Sequence, residues 1–235
     1  MSTEKLTFRL AEAGLNLLSV LDARKSGVTG IADNMKSLLL IGNSGPTLWQ
    51  VMPANYLQRQ HPVDEYTAET LQQLLPAELP DVHWQVLFPA LADAHVPNLQ
   101  QLGQLAGWHH PSPLGNGINR LCGLWFAYRA VVVVDRWLPP SKPLVGDSPC
   151  LSCVNTPCIA ACPASALVVG QMPRLVACVK YRSEPRSACA QTCLARLACP
   201  VATECRYTED QTSYFYQRSL PSLQQWVADD SASAD

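Results

Sequence analysis

The first 121 residues contain no cysteine, and the whole chain is short of charge: Asp, Glu, Lys and Arg make up 15% of its 235 residues, with a net charge of −2. No long basic stripe is present, so the electrostatic footprint of nucleic-acid binding is missing. The opening stretch "MSTEKLTFRLAEAGLNLLSVLDARKSG" carries Glu4, Arg9 and Glu12 where a signal peptide needs an unbroken apolar run. "AVVVVDRWL" (130–138) is apolar but too short to span a bilayer. No solenoid repeat occurs, and the only low-complexity tract is the tail "ADDSASAD". These absences predict a cytoplasmic protein without a membrane or nucleic-acid partner. An apolar content of 48% is enough for a sizeable core, in one large domain or two small ones.

Hydrophobic spacing predicts a layered α/β sheet over residues 1–145. Leu6, Leu10, Leu15, Leu17, Leu18 and Leu21 predict a helix over 5–21. "MKSLLLIGN" (35–43) and "HWQVLFP" (83–89) read as strands, and further helices are expected over 46–59, 64–75 and 96–108. "HHPSPLGNGINR" (109–120) reads as a loop. "GLWFAYRAVVVVD" (123–135) is the strongest strand signal, apolar enough to lie at the centre of a sheet and buried on both faces. "PPSKPLVGDSP" (139–149) is a connector, a cysteine region fills 146–206, and 207–235 closes the chain as a helical segment and tail.

All ten cysteines lie between Cys122 and Cys205. In a reducing compartment so many thiols point to metal ligation rather than disulfides. Cys150, Cys153, Cys158 and Cys162 form a C-x2-C-x4-C-x3-C-P run, two residues wider in its middle gap than the usual ferredoxin spacing. Cys178, Cys189, Cys193 and Cys199 form a looser set that also ends in Cys-Pro. By analogy with two-cluster ferredoxins, a crossed pairing assigns Cys150, Cys153, Cys158 and Cys199 to one [4Fe-4S] cluster and Cys162, Cys178, Cys189 and Cys193 to the other. Zinc sites usually come as two separated C-x2-C pairs, unlike this dense quartet, so a zinc-stabilised structural domain is the weaker alternative. From 151 to 207, six basic residues (Arg174, Lys180, Arg182, Arg186, Arg196, Arg206) less two acidic ones (Glu184, Glu204) give +4, a charge suited to anionic clusters. Cys122 and Cys205 fall outside the pattern and read as small buried apolar residues.

Three stretches resemble the cobalamin-processing decyanase/dealkylase family, the vitamin B12 trafficking chaperones: "HPVDEYTAETL" (61–71), "GLWFAYRAVVVV" (123–134) and "RYTEDQTSYFYQ" (206–217). The cysteine region is similar to that of epoxyqueuosine reductase, which joins a cobalamin-binding domain to two [4Fe-4S] clusters and whose second ligand set also begins with an isolated cysteine, matched here by Cys178. Reductive dehalogenases share this plan. The resemblance implies a flavin-reductase-like layered sheet with an inserted ferredoxin-like two-cluster region and C-terminal helices. It also implies a cofactor pocket lined by the central strand and the loop before it. The positions of the B12 family's His-Pro pair hold Asn119 and Arg120, with His109, His110 and Pro111 ten residues earlier. No motif supplies the acidic general acid of the queuosine enzyme.

On the strong strand, Trp125 and Arg129 share one face by period two, able either to border a flat cofactor or to sit in the core with the arginine paired to a carboxylate such as Asp64. "GNSGPT" (42–47) lacks the Walker and Rossmann spacings and reads as a strand–helix turn. His61, His83 and His95 are scattered and read as structural, and no Ser/His/Asp arrangement has convincing context. The expected function is an iron–sulfur redox protein that takes electrons from a donor such as a ferredoxin or flavodoxin and passes them to a small-molecule corrinoid, or with a flavin in that place. The alternative is a ferredoxin-like electron carrier without a catalytic pocket.

Overall fold

In the computed structural model, residues 3–89 and 96–232 are described; His95 lies outside them. The chain divides into two compact units, one of residues Met1–His109 with Trp125–Gly146, the other of His110–Leu124 with Asp147–Asp235. Among the described residues, no helix is long and apolar enough to cross a membrane.

The first unit contains α1 (Glu4–Glu12), β1 (Leu17–Asp22), β2 (Ser37–Ser44), α2 (Thr47–Val51), α3 (Pro62–Glu78), β3 (Trp84–Phe88), α4 (Leu99–Leu105) and β4 (Phe126–Val134). The strands form one antiparallel sheet in the order β1-β2-β4-β3. This is a mixed α/β arrangement with a small antiparallel sheet. Residues 38–41 of β2 and 130–134 of β4 are fully enclosed. On one face Leu38, Leu40, Val131 and Val133 pack with Leu21, Leu102 and Trp108. Leu39, Ile41, Val132 and Val134 alternate onto the other face, and α3 packs against β4. Coverage of both faces explains why these strands are continuously apolar rather than alternating.

The helix expected over 5–21 is two elements. Gly14 adopts φ +78°, and a Cβ there would lie 2.4 Å from the Leu48 Cα. The chain reverses at that point, and Leu17 and Leu21 pair with Gly42 and Leu38 across the sheet. Leucines spaced for a helix also satisfy one edge of a strand when a left-handed residue separates the two halves. The helix expected over 46–59 is likewise divided: Pro53 lacks an N–H to continue α2, and Ala54–Gln58 forms a separate 3-10 turn. Within 96–108, α4 is confined by its Asn98 cap, whose Oδ1 accepts from the Gln101 N–H, and by Gly107 at φ +72°.

The strong strand begins at Phe126, not at residue 123. Gly123 takes φ +58° and closes a turn with Asn119 through two backbone hydrogen bonds. Cys122 therefore sits in that turn rather than opening the strand. Along β4 the register shifts: Ile41 faces Ala130 and Gly42 faces Tyr128, leaving Arg129 as the extra residue of a bulge. The bulge breaks the period-two count that placed Trp125 and Arg129 on one face. Trp125 is fully buried, and Arg129 is half-buried with its Nε donating to Asn43 Oδ1 at 2.6 Å.

The second unit holds α5 (Pro157–Ala160), α6 (Leu175–Ser183), α7 (Leu194–Leu197) and α8 (Glu209–Ala232), with 3-10 turns at Pro149–Ser152 and Thr203–Cys205. Most of its length is loop. Its segment 110–124 is a short hairpin in which His110 and Ile118 exchange backbone hydrogen bonds.

Gly14→Ala tests the helix–strand reversal. A left-handed Ala costs about 1–2 kcal/mol and overpacking a further ~1–3 kcal/mol. The denaturation midpoint should fall with an unchanged urea m-value; an unchanged midpoint would show that the reversal does not depend on glycine.

Candidate metal centres

Cys150, Cys153 and Cys158 are presented by one irregular loop. The Ser148 hydroxyl accepts from the Cys150 N–H (3.3 Å) and starts a 3-10 turn, closed by the Cys153 N–H donating to the Cys150 carbonyl (3.3 Å). The two additional residues of the middle gap are absorbed by a left-handed reversal: Asn155 and Thr156 have φ of +64° and +39°. Pro157 then opens α5, whose fixed φ suits a first helical position, and Cys158 is buried on its first turn. Cys199 arrives from the far end of α7. Together the four cysteines line a small cleft, walled otherwise mainly by apolar side chains including Leu114, Ile118, Leu124 and Val201.

The second group is assembled from four places. Cys162 follows α5, its N–H donating to the Ile159 carbonyl. Cys178 lies on α6. Cys189 is set by the Ser187 hydroxyl, which accepts its N–H at 3.2 Å. Cys193 caps α7, its Sγ accepting from the Arg196 N–H at 3.4 Å. Arg182, one turn beyond Cys178 on α6, and the half-buried Tyr216 of α8 flank this group.

Electrostatics separates the same two sets. Burial pushes the Cys150, Cys158 and Cys199 thiols up. Cys153 and Cys199 push Cys150 higher, Cys199, Cys150 and Cys153 do so for Cys158, and Cys153 does so for Cys199. Burial also raises Cys178 and Cys189; Cys193 and Cys162 raise both further, and Arg182 pulls both down. Thiolates held this close repel one another, so each set can be ionised together only around a compensating cation. All ten cysteines are free thiols. Among the described residues, no three His, Cys, Asp or Glu side chains converge tightly enough for a single ion. A lone zinc, with sulfurs at about 2.3 Å, needs its thiolates about 3.8 Å apart, whereas a multi-iron cluster takes thiolates spread around its corners.

Of the four residues expected beside a cofactor, Trp125 and Arg129 belong to the first unit, Asn119 and Arg120 to the second. Asn119 caps its own turn: Oδ1 accepts from the Leu121 N–H (2.7 Å) and the Cys122 N–H (3.3 Å), while its buried Nδ2 has no partner. Arg120 is exposed and donates from Nη1 to the Asp147 carbonyl at 2.6 Å. The sequence reading missed a part-buried pair in the first unit. The Tyr128 hydroxyl and His109 Nδ1 lie 3.2 Å apart under the stacked Trp108 ring, and burial pushes the Tyr128 phenol well above its ordinary value. It also missed the specific placement of Arg182 and Tyr216, for which the one sequence signal was the four-residue spacing of Cys178 and Arg182, which puts both on one helix face.

Neither a family model nor a curated protein matches this chain. Several solved structures share its fold. A selenomethionine-labelled epoxyqueuosine reductase matches with TM-score 0.55 and 13% identity over 90% of this chain and 68% of that one. Epoxyqueuosine reductase with a tRNA-Tyr epoxyqueuosine-modified stem loop gives TM-score 0.56 and 14% identity over 90% and 68%. The enzyme from Streptococcus thermophilus gives 0.52 and 14% over 85% and 66%. At this identity the likeness establishes the fold, and the chain spans about two thirds of each neighbour's length.

Cys122 lies outside both groups, is 3% exposed, and is pushed up to about 12 by burial and by the nearby Cys205. Because the thiol is favoured over the thiolate, Cys122 should stay unmodified by iodoacetamide at pH 8 in the native protein and react on unfolding. Peptide mass spectrometry reads this directly, and rapid native labelling would contradict the burial.

Proposed function

We propose that this chain is an iron–sulfur redox protein holding two [4Fe-4S] clusters, one on Cys150, Cys153, Cys158 and Cys199 and one on Cys162, Cys178, Cys189 and Cys193. The observation that carries this reading is the exchange of last cysteines: Cys199 joins the first three of the earlier motif, and Cys162 joins the first three of the later one. The donor sets fit the group. They are all thiol, as soft iron–sulfur ligation requires, and the first lines a cleft walled mainly by carbon. When bound, the clusters supply one-electron transfer. The polypeptide orders the thiols, lines the first set with apolar side chains, and sets a guanidinium near the second.

The epoxyqueuosine reductase fold and the resemblance to cobalamin-processing proteins support an acceptor carried by the first unit, a corrinoid foremost and a flavin as the other candidate. The donor would be a small redox protein such as a ferredoxin or flavodoxin, in the cytoplasm. A second reading, an electron carrier without a catalytic pocket, is favoured by Asn119 and Arg120: one caps its own turn and the other is tied to a backbone carbonyl. Titration with hydroxocobalamin and with flavin separates the two, since the enzyme reading expects a spectral change with one of them and the carrier reading with neither.

Anaerobically prepared protein should contain about eight iron and eight sulfide per chain. Cys199→Ser should lose the first cluster and Cys162→Ser the second, each leaving about four irons with a simplified EPR spectrum. Retention of all iron and an unchanged spectrum in either variant would refute the crossed ligand sets.

A further inference from the structure

Arg182 is 6% exposed, which is unusual for a permanently charged side chain. Its Nη2 donates to the Tyr216 carbonyl (2.8 Å) and to the Ser219 hydroxyl (3.4 Å), and its guanidinium lies 4.6 Å from the centre of the Tyr216 ring. Every one of these partners is uncharged. No ion pair among the described residues includes Arg182, and its Nε–H is buried without a hydrogen-bond partner. A buried cation with only neutral partners is costly, and an anion close by would offset that cost. The anion is indicated by the helix itself. Cys178 and Arg182 are four apart on α6 and share a face, the charge of Arg182 reaches both Cys178 and Cys189, and the Tyr216 hydroxyl that shares this corner lies within hydrogen-bonding reach of Cys193.

We propose that Arg182 is the built-in counter-charge of the second cluster and sets its reduction potential. The inference rests on the two-cluster reading above and adds to it a residue that is not a ligand. A fixed cation in a poorly hydrated site favours the more negative, reduced cluster, so its removal makes that cluster harder to reduce. Tyr216 and Ser219 are positioning residues: the carbonyl of one and the hydroxyl of the other hold the guanidinium buried rather than letting it extend to solvent.

The test is an anaerobic potentiometric titration of the loaded protein followed by EPR, comparing wild type with Arg182→Gln and Arg182→Lys, the two signals being assigned with Cys199→Ser and Cys162→Ser. Arg182→Gln should lower the reduced-to-oxidised ratio of the second cluster about tenfold at fixed potential, a fall of about 59 mV for one electron, and leave the first cluster unchanged. Arg182→Lys, which keeps the charge, should stay within about threefold of wild type. If Arg182→Gln instead loses the second cluster while Arg182→Lys keeps it, the counter-charge role is upheld through iron content. An Arg182→Gln protein with both clusters and an unshifted second potential overturns the proposal, as does loss of the second cluster from both variants. Wild-type protein that holds iron only at the first group overturns the two-cluster reading itself, and the inference with it.

Discussion

Like charges resist being gathered, and the second unit is built around that resistance. Eight thiols are drawn into two sets, and within each set one thiol's ionisation opposes the next. Because Cys199 groups with Cys150, Cys153 and Cys158, and Cys162 with Cys178, Cys189 and Cys193, neither cysteine run supplies a whole group from its own residues. α5 and α7 have four residues each, far below the length at which a helix persists by itself. The apolar cluster around Ile118 and Leu124 includes Cys199 and packs against Cys150, so the thiols of the first set are also part of the local core. Cations bound by the thiolates would turn the main repulsion of the unit into its main cross-link.

The first unit needs no such agent. Its sheet centre, Leu38–Ile41 against Ala130–Val134, is sealed on both faces, and no cysteine takes part. Within it, the irregular features gather at one end of β2 and β4. The bulge at Arg129, the enclosed Asn43 amide that takes its Nε, and the Tyr128–His109 pair all lie beyond the straight apolar half of the strands. Bulges re-aim side chains and interrupt pairing. The straight half provides stability, and the bulged end is where side-chain chemistry is available.

The parts of the protein legible in the sequence were those dictated by local rules. The run "LLLI" and the run "AVVVV" could only be buried strands, and Cys-Pro endings at 162 and 199 suggested the pairing of thiols by analogy. Other parts depend on tertiary partners that no window of sequence contains. Leu15 to Leu21 fit a helix until the position of Leu48 makes Gly14 a turn. Trp125 and Arg129 fit one strand face until β2 shifts register against them. Asn119 matched a cofactor position only by alignment, whereas its side chain is engaged by the amides of Leu121 and Cys122. Arg182 was visible merely as one of six basic residues, because its partners Tyr216 and Ser219 lie 34 and 37 positions further along the chain.

That placement distinguishes the electrostatics of the two thiol sets. The first set also feels a cation, Arg206, which lowers Cys199, but Arg206 is exposed and donates to the Leu197 carbonyl. Water and salt screen a charge in that position. Arg182 is enclosed, and its field is screened far less. Equal formal charge therefore acts unequally: weakly at the cleft of Cys150, Cys153, Cys158 and Cys199, strongly at the group of Cys162, Cys178, Cys189 and Cys193. Identical clusters in the two sets would differ in potential, with the second the easier to reduce. Between two four-thiol groups, the difference in electrostatic setting therefore comes from one buried arginine as well as from the thiols themselves.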